Sequence, residues 1–363
     1  MGIKNAIYII IVLLLESCTH NSSMNNDLVD IISADYFEDD SFDSIIFPKS
    51  KIFNNSIICN PVRVALHDSI LFSLDANYGS DTLVRCFSLV NKRYLGPVFL
   101  KGNGAGELLS AVSLGLSADS SSFWTFDITK QLWVGRPCAE LSDSILLSDD
   151  SCTKIDMKDT VLLAKDDPIW LKDGFAVRNL FNYKERFFIC DLAMSWSRPI
   201  VNPYLQFKEA YNEYVMADIF SSQMCTSPDR SIIILAGKYL DLIEIYDVEG
   251  NLRKMLKGPQ RGFDFKFDVE RSVKNSVLVK SKDTRRGYLK VKATQSKIYA
   301  LYSGKSKQEE HYSYSRILYV FSLDGDLLYK YVLDKPIIDF VIDEKRNCIY
   351  ATSLDAEIIS FNL

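Results

Sequence analysis

Gly102, Gly104 and Gly106 stand at alternate positions and give the chain its nearest match to a phosphate-binding loop. A dinucleotide fingerprint needs its third glycine three positions after the second, and that position is Glu107. The Gly-Lys-Ser/Thr ending of a P-loop is missing as well, so residues 101–107 read as a crossover between strands. Hydrolytic signatures fare no better. The chain has no G-x-S-x-G elbow, no H-E-x-x-H pair and no Asp-rich calcium loop of EF type. The histidines are His20, His67 and His311, too few for a His-rich metal site. None of the eight cysteines (Cys18, Cys59, Cys86, Cys138, Cys152, Cys190, Cys225, Cys348) stands in a C-x-x-C pair, which excludes zinc-ribbon and thioredoxin chemistry on spacing. No catalytic residue, metal ligand or cofactor is therefore assigned. A carboxylate pair or a calcium site assembled from distant segments would leave no such signature.

Other residues are suited to binding. Residues 253–297 hold fourteen Lys or Arg, among them Arg253, Lys254, Arg285, Arg286, Lys290 and Lys292, against Asp264, Asp268, Glu270 and Asp283. That excess suits either a face for an anionic partner or solvated edge strands. Phe263, Phe265 and Phe267 alternate there as one face of a strand. Trp124, Trp133, Trp170 and Trp196 would stack on sugar rings if several were exposed near one channel mouth. Trp124 falls in a strand pattern and reads as core, whereas Trp196, in a loop beside Arg198 and Pro199, is the better exposed candidate. Leu205, Tyr211, Val215 and Ile219 lie at helical spacing and predict a helix over 205–220. The net charge of −5 comes from an acidic leader, seven acids and no Lys or Arg over residues 19–48, so nothing in the charge balance supports nucleic-acid binding.

The N-terminus reads as an address. Lys4 precedes an apolar run from Ala6 to Leu15, too short to span a bilayer core, which takes about 20 residues of helix, but right for a secretory signal. Leu15-Glu16-Ser17-Cys18 is similar to a lipobox, with Cys18 as the residue to be lipidated. Residues 1–17 are then a signal peptide, and 18–43 a lipidated N-terminus and polar tether. Two or more acyl chains on Cys18 suffice for stable anchoring. Thr19 after the cysteine favours the outer membrane, facing the periplasm. Seven cysteines remain, an odd number, and Cys86 and Cys190 lie in apolar runs where free thiols serve as small core residues.

The elements that position all this are strands. Short β-branched and aromatic runs are broken by turns, and one pattern recurs: an aromatic or apolar residue, a small polar or acidic one, then an apolar one. Its copies are Phe87-Ser88-Leu89, Phe126-Asp127-Ile128, Cys190-Asp191-Leu192, Tyr246-Asp247-Val248, Phe321-Ser322-Leu323 and Phe361-Asn362-Leu363. They are spaced by 39, 64, 56, 75 and 40 residues, a length that suits four-stranded blades. Polar turns precede each copy at Asp68-Ser69, Asp119-Ser120, Asp173-Gly174, Asp229-Arg230, Gln295-Ser296 and Asp343-Glu344. Six turns and six strand ends predict an all-β, six-bladed β-propeller over 44–363. The last copy stops at Leu363, so an N-terminal strand from 44–59 is expected to complete the last blade and remove its open edge.

Signal, lipobox, six degenerate blades and the Lys101–Glu107 loop together resemble the TolB-like six-bladed β-propeller lipoproteins of Gram-negative gut bacteria. The resemblance implies a propeller fold and an envelope location and transfers no catalytic residue. The expectation is a non-catalytic binding or interaction module for an envelope protein or a glycan, held to the membrane through its lipid. The runner-up is a divalent-metal-dependent propeller enzyme, lactonase-like or sugar-processing, with its site at the mouth of the central channel.

Overall fold

The computed structural model describes residues 29–54, 60–76, 80–141, 152–157, 165–179, 184–207, 213–260, 268–271 and 276–363. Their strands form six antiparallel meanders. Blade I is Pro61–His67, Ile70–Asp75, Thr82–Ser88 and Arg93–Leu100. Blade II is Gly115–Leu116, Ser122–Asp127, Leu132–Pro137 and Thr153–Asp156. Blade III is Lys165–Trp170, Gly174–Asn179, Glu185–Asp191 and Ser197–Val201. Blade IV is Ser222–Thr226, Ile232–Gly237, Leu242–Asp247 and Leu252–Lys257.

Blade V comprises Tyr288–Ala293, Lys297–Tyr302, Ser315–Ser322 and the first part of the long strand Leu327–Asp343. That strand then becomes the innermost strand of blade VI, pairing with Cys348–Ser353, which pairs with Ile358–Asn362. Ser50–Asn54 pairs antiparallel with Ile358–Asn362 and supplies the fourth strand of blade VI.

Burial shows how the blades are arranged. Every residue of Ile232–Gly237 is buried, because the strand is covered on both sides. Ile232, Ile234 and Ala236 pack toward blade V, while Ile233 and Leu235 pack toward blade III. Successive strand residues point to opposite faces, so an unbroken apolar run is what a doubly covered strand requires. The apolar clusters join I to II, II to III, III to IV, IV to V and V to VI. A further cluster joins Tyr350 and Ile358 of blade VI to Val64, Leu71 and Phe87 of blade I. The blades therefore follow one another around a ring in chain order.

The recurrent tripeptide has a physical cause. Its first residue is buried in every copy: Phe87, Phe126, Cys190, Tyr246, Phe321 and Phe361. In five copies the second residue's side-chain oxygen accepts backbone N–H groups of the following turn. Ser88 Oγ accepts from Asn91 N (3.2 Å), Asp127 Oδ1 from Thr129 N and Lys130 N (both 3.0 Å), and Asp191 Oδ1 from Ser195 N (2.8 Å). Asp247 Oδ1 accepts from Asn251 N (2.8 Å) and Ser322 Oγ from Asp326 N (3.0 Å). Aspartate and serine recur because they satisfy backbone donors that a tight turn leaves over. One copy is placed differently from expectation: Phe126-Asp127-Ile128 ends the second strand of its blade, whereas the others end the third. All six polar turns fall between the first and second strands of their blades.

The tether expected over 18–43 is corrected for its described residues. Val29–Ile31 pairs with Leu205–Phe207, and Asp35–Tyr36 adds a parallel fifth strand to blade IV. Phe37 and Phe42 are buried between blades IV and V, with Phe42 stacked on Tyr319 at 5.1 Å. Asp39 receives hydrogen bonds from Tyr319 and from Lys330 (2.7 Å), and Ile45–Ile46 pairs in parallel with Lys330–Tyr331. A locally acidic composition concealed two aromatic anchors whose partners lie nearly 300 residues away.

The helix predicted over 205–220 is also shorter than expected. Leu205–Phe207 is a strand, and the helix is Glu213–Ile219, its Val215, Met216 and Ile219 buried. Among the described residues no helix is long and apolar enough to cross a membrane.

Candidate functional site: the central cavity

At the middle of the ring lies a cavity of about 200 Å³ lined by all six blades. The innermost strands supply Arg63 and Val64 (blade I), Gly115 and Leu116 (II), Pro168 to Trp170 (III), Gln223 to Thr226 (IV), Lys290 to Ala293 (V) and Asp339 (VI). Trp124 and Trp133 reach it from the second and third strands of blade II.

Trp124 is admitted by two glycines. Its cross-strand partners are Gly115 and Gly135, and a Cβ at Gly135 would stand 2.5 Å from the indole. Trp133 and Trp170 stack with centroids 5.1 Å apart, and Trp124 lies 5.4 Å from Trp170, so blades II and III give the cavity an aromatic wall. The indole Nε1 groups of Trp124 and Trp170 are buried without a hydrogen-bond partner among the described residues. A buried, unpaired donor costs free energy that a ligand acceptor would recover.

Among the described residues the charged lining is Arg63, Arg230, Lys290 and Lys292 against Asp339. Asp339 is buried, and its carboxylate already accepts from Phe340 N (2.9 Å) and Val64 N (3.3 Å), at the seam where blade VI meets blade I. Neither Arg63 nor Lys292 forms an ion pair with a described carboxylate. Arg230 sits at positive φ in the first turn of blade IV and extends over to blade II, donating to Leu116 O (3.3 Å) and Ser117 O (3.1 Å). Burial lowers its pKa from the usual arginine range without discharging it. Cys225 also lines the cavity, and burial pushes its thiol up to about 12, so it is not a thiolate nucleophile at neutral pH.

A divalent cation does not suit the described lining, in which Asp339 is the one carboxylate beside four cationic side chains. Among the described residues no three His, Cys, Asp or Glu side chains cluster as metal ligands.

The other sequence candidates fall as follows. Cys18 and Phe263, Phe265 and Phe267 lie outside the described residues. The glycine loop holds its own anion: Glu107 Oε2 accepts from Gly104 N (2.8 Å) and would collide with a Cβ on Gly102, while Lys130 Nζ donates to Gly102 O and Glu107 O. The basic stretch is not one face. Lys254 pairs with Asp35, Lys257 with Asp241 and Lys280 with Asp218, Arg286 lies over the Tyr312 ring, and Lys290 and Lys292 turn into the cavity. Trp124 is core, as expected, and Trp196 is 50% exposed, on the rim and away from the cavity. Among the described residues Cys86, Cys138, Cys152, Cys190, Cys225 and Cys348 are not joined in disulfides. Of the four tryptophans read as candidates for stacking, Trp124, Trp133 and Trp170 line the cavity and Trp196, the one preferred, does not. Arg63 and Arg230 had no motif to announce them, and their signal is position, since Arg63 precedes the first turn of its blade by a few residues and Arg230 lies within one.

Fold and cavity define a six-bladed β-propeller with a cationic, aromatic-walled centre. The chain belongs to the TolB-like 6-blade propeller-like family, which it matches over residues 40–345. It is similar in structure to a member of the DUF4221 family from Bacteroides vulgatus (TM-score 0.56, 10% identity, 93% of this chain and 98% of that one). It is also similar to a putative exported protein from Bacteroides fragilis (TM-score 0.51, 12% identity, 91% and 98%). A third likeness is to U3-55K (TM-score 0.53, 9% identity, 87% and 100%). At these identities the likeness shows the fold alone. No curated protein sequence matches the chain.

Proposed function

We propose that the protein is an envelope lipoprotein, exported by residues 1–17, acylated at Cys18 and held at the outer membrane facing the periplasm, whose propeller is a non-catalytic binding module for a glycan. The address rests on Lys4, the Ala6–Leu15 run and the Leu15–Cys18 motif. The Bacteroides neighbour described as a putative exported protein agrees with export. Binding rests on the lining of the central cavity, in which tryptophans and the cations Arg63, Arg230, Lys290 and Lys292 converge. A space of this size holds roughly six or seven water volumes, suited to one sugar ring rather than a protein segment.

Two measurements test the reading. Cys18→Ala moves the protein from the membrane fraction to the soluble periplasm, and unchanged fractionation overturns the anchor. The full chain in mild detergent, screened against a panel of neutral and acidic oligosaccharides, binds at least one class. Silence across the panel overturns the binding module.

A further inference from the structure

We infer that the cavity takes an anionic ring, a sugar residue carrying a carboxylate or a sulfate, seated with its ring against Trp170 and its charge toward Lys290, Lys292 and Arg63. The inference rests on the binding-module reading and narrows it to a ligand class.

Ring order carries the first step. Six blades in sequence place blade V across the centre from blade II, and blade VI across from blade III. The indoles lie on blades II and III. Lys290 and Lys292 lie on the innermost strand of blade V, and Arg63 on that of blade I, flanking the Asp339 strand. Lys290 and Lys292 thus stand across the cavity from the indoles of blade II, while Arg63 on the neighbouring blade and Arg230, which reaches Leu116 and Ser117, lie nearer the aromatic side.

Charge carries the second step. Each oxygen of Asp339 accepts one backbone amide at the blade seam, which holds this carboxylate at the junction of blades VI and I. Arg63, Arg230 and Lys292 outnumber the one described carboxylate of the lining, and an entering anion adds to the negative side of that balance in a partly desolvated space. Arg230 reaches across from blade IV to the backbone of blade II and holds its positive charge at the cavity without donating to a carboxylate.

Hydrogen-bond capacity carries the third step. The indole N–H groups of Trp124 and Trp170 are donors with no acceptor among the described residues. A hydroxylated ring brings acceptors to them while its apolar face lies on the aromatic wall. A small ring-free anion would use the cations and leave the indoles idle, and a neutral sugar would do the reverse.

The test uses the full chain in mild detergent and follows intrinsic tryptophan fluorescence. The probes are galacturonate, N-acetylglucosamine 6-sulfate, galactose and inorganic sulfate. Galacturonate, the sulfated sugar or both perturb the fluorescence and saturate, distinguishing a carboxylate from a sulfate ligand. Galactose and inorganic sulfate bind at least about tenfold more weakly, the loss expected when one charge-assisted set of contacts is absent. Lys290→Gln with Lys292→Gln weakens the acidic sugar by about tenfold or more and leaves the far-UV circular dichroism and Tm of the fold in place. Trp170→Phe keeps the anion contacts and weakens acidic sugar relative to inorganic sulfate. Equal binding of galactose and galacturonate overturns the anionic class while leaving a glycan module standing. Inorganic sulfate binding as tightly as the sugars removes the ring from the proposal. If no acidic sugar binds while neutral oligosaccharides do, this inference fails alone, and if none of the panel binds, both readings fail together.

Discussion

The guanidinium of Arg186 and the carboxylate of Glu244 meet at 2.6 Å with both side chains buried, tying the third strand of blade III to the third strand of blade IV. Glu244 Oε1 also accepts from Asn202 Nδ2 (2.8 Å) and Tyr246 Oη (2.6 Å), and Arg186 Nη1 donates to Phe220 O (2.9 Å). Each charge is thereby supplied with partners in a place water does not reach. The Arg186 guanidinium holds the Glu244 carboxyl below its usual range in spite of burial. Glu244→Ala leaves a buried cation uncompensated, and the expected loss is about 3–5 kcal/mol in urea unfolding. The Arg186→Met, Glu244→Leu pair removes both charges and is expected to lose far less, so equal losses would show that packing, not charge, dominates this seam.

Gly135 exists to make room for Trp124. A methyl group 2.5 Å from the indole forces the ring to move, and a well-packed core yields such space at a cost of about 1–3 kcal/mol. Gly135→Ala is therefore expected to lower the Tm and shift the tryptophan emission together. A stable variant with unchanged emission would mean that the indole is not seated as described.

Burial pushes the carboxyl groups of Asp75 and Asp241 up to about 6, outweighing the cations Arg85 and Lys257 beside them. Between the ordinary value of 3.8 and about 6 the folded chain keeps protons that the unfolded chain has released. Their contribution to stability is thus complete below 3.8 and is lost as pH rises through 6, with a slope of up to about 1.4 kcal/mol per pH unit for each group. Unfolding free energies measured in steps from pH 4 to pH 7 will show a shallower fall in Asp241→Asn than in the parent. Parallel curves would refute the raised value.

Phe42 is an anchor of the N-terminal segment rather than part of a loose leader. It stacks on Tyr319 and makes an edge contact with Phe321 at 5.8 Å. Phe42→Ala is expected to cost about 3–5 kcal/mol, as for other buried phenylalanines. A change within experimental error in thermal unfolding would return residues 29–43 to the status of a tether.

Much of the fold was legible because its signals are local. A hairpin turn needs a side-chain acceptor within a few residues, so Asp127, Asp191, Asp247 and Ser322 recur at the strand ends where they cap backbone N–H groups. The buried residue before each of them had to be apolar because blades cover both sides of their strands. The spare strand at 50–54 was legible for a related reason, since it lies before the first repeat, and it pairs with Ile358–Asn362 at the edge of blade VI. The helix was not. Leu205 satisfies helical spacing equally well as a strand residue, and its burial with Leu242 and Met255 decided the matter.

The cavity was legible only as a list of residue types. Lys290 and Lys292 belonged to a basic stretch that the sequence spreads along a line, while the fold turns those two inward and pairs Lys254, Lys257 and Lys280 elsewhere.

By itself, the sequence determined an all-β chain of six turn-punctuated repeats and the lack of a catalytic motif, because both depend on neighbours in the chain. Only the tertiary structure decided that Arg63, Trp170, Arg230, Lys290 and Asp339 share one cavity. Those residues come from five separate blades, and closing the ring, not any local pattern, brings tryptophans and cations together.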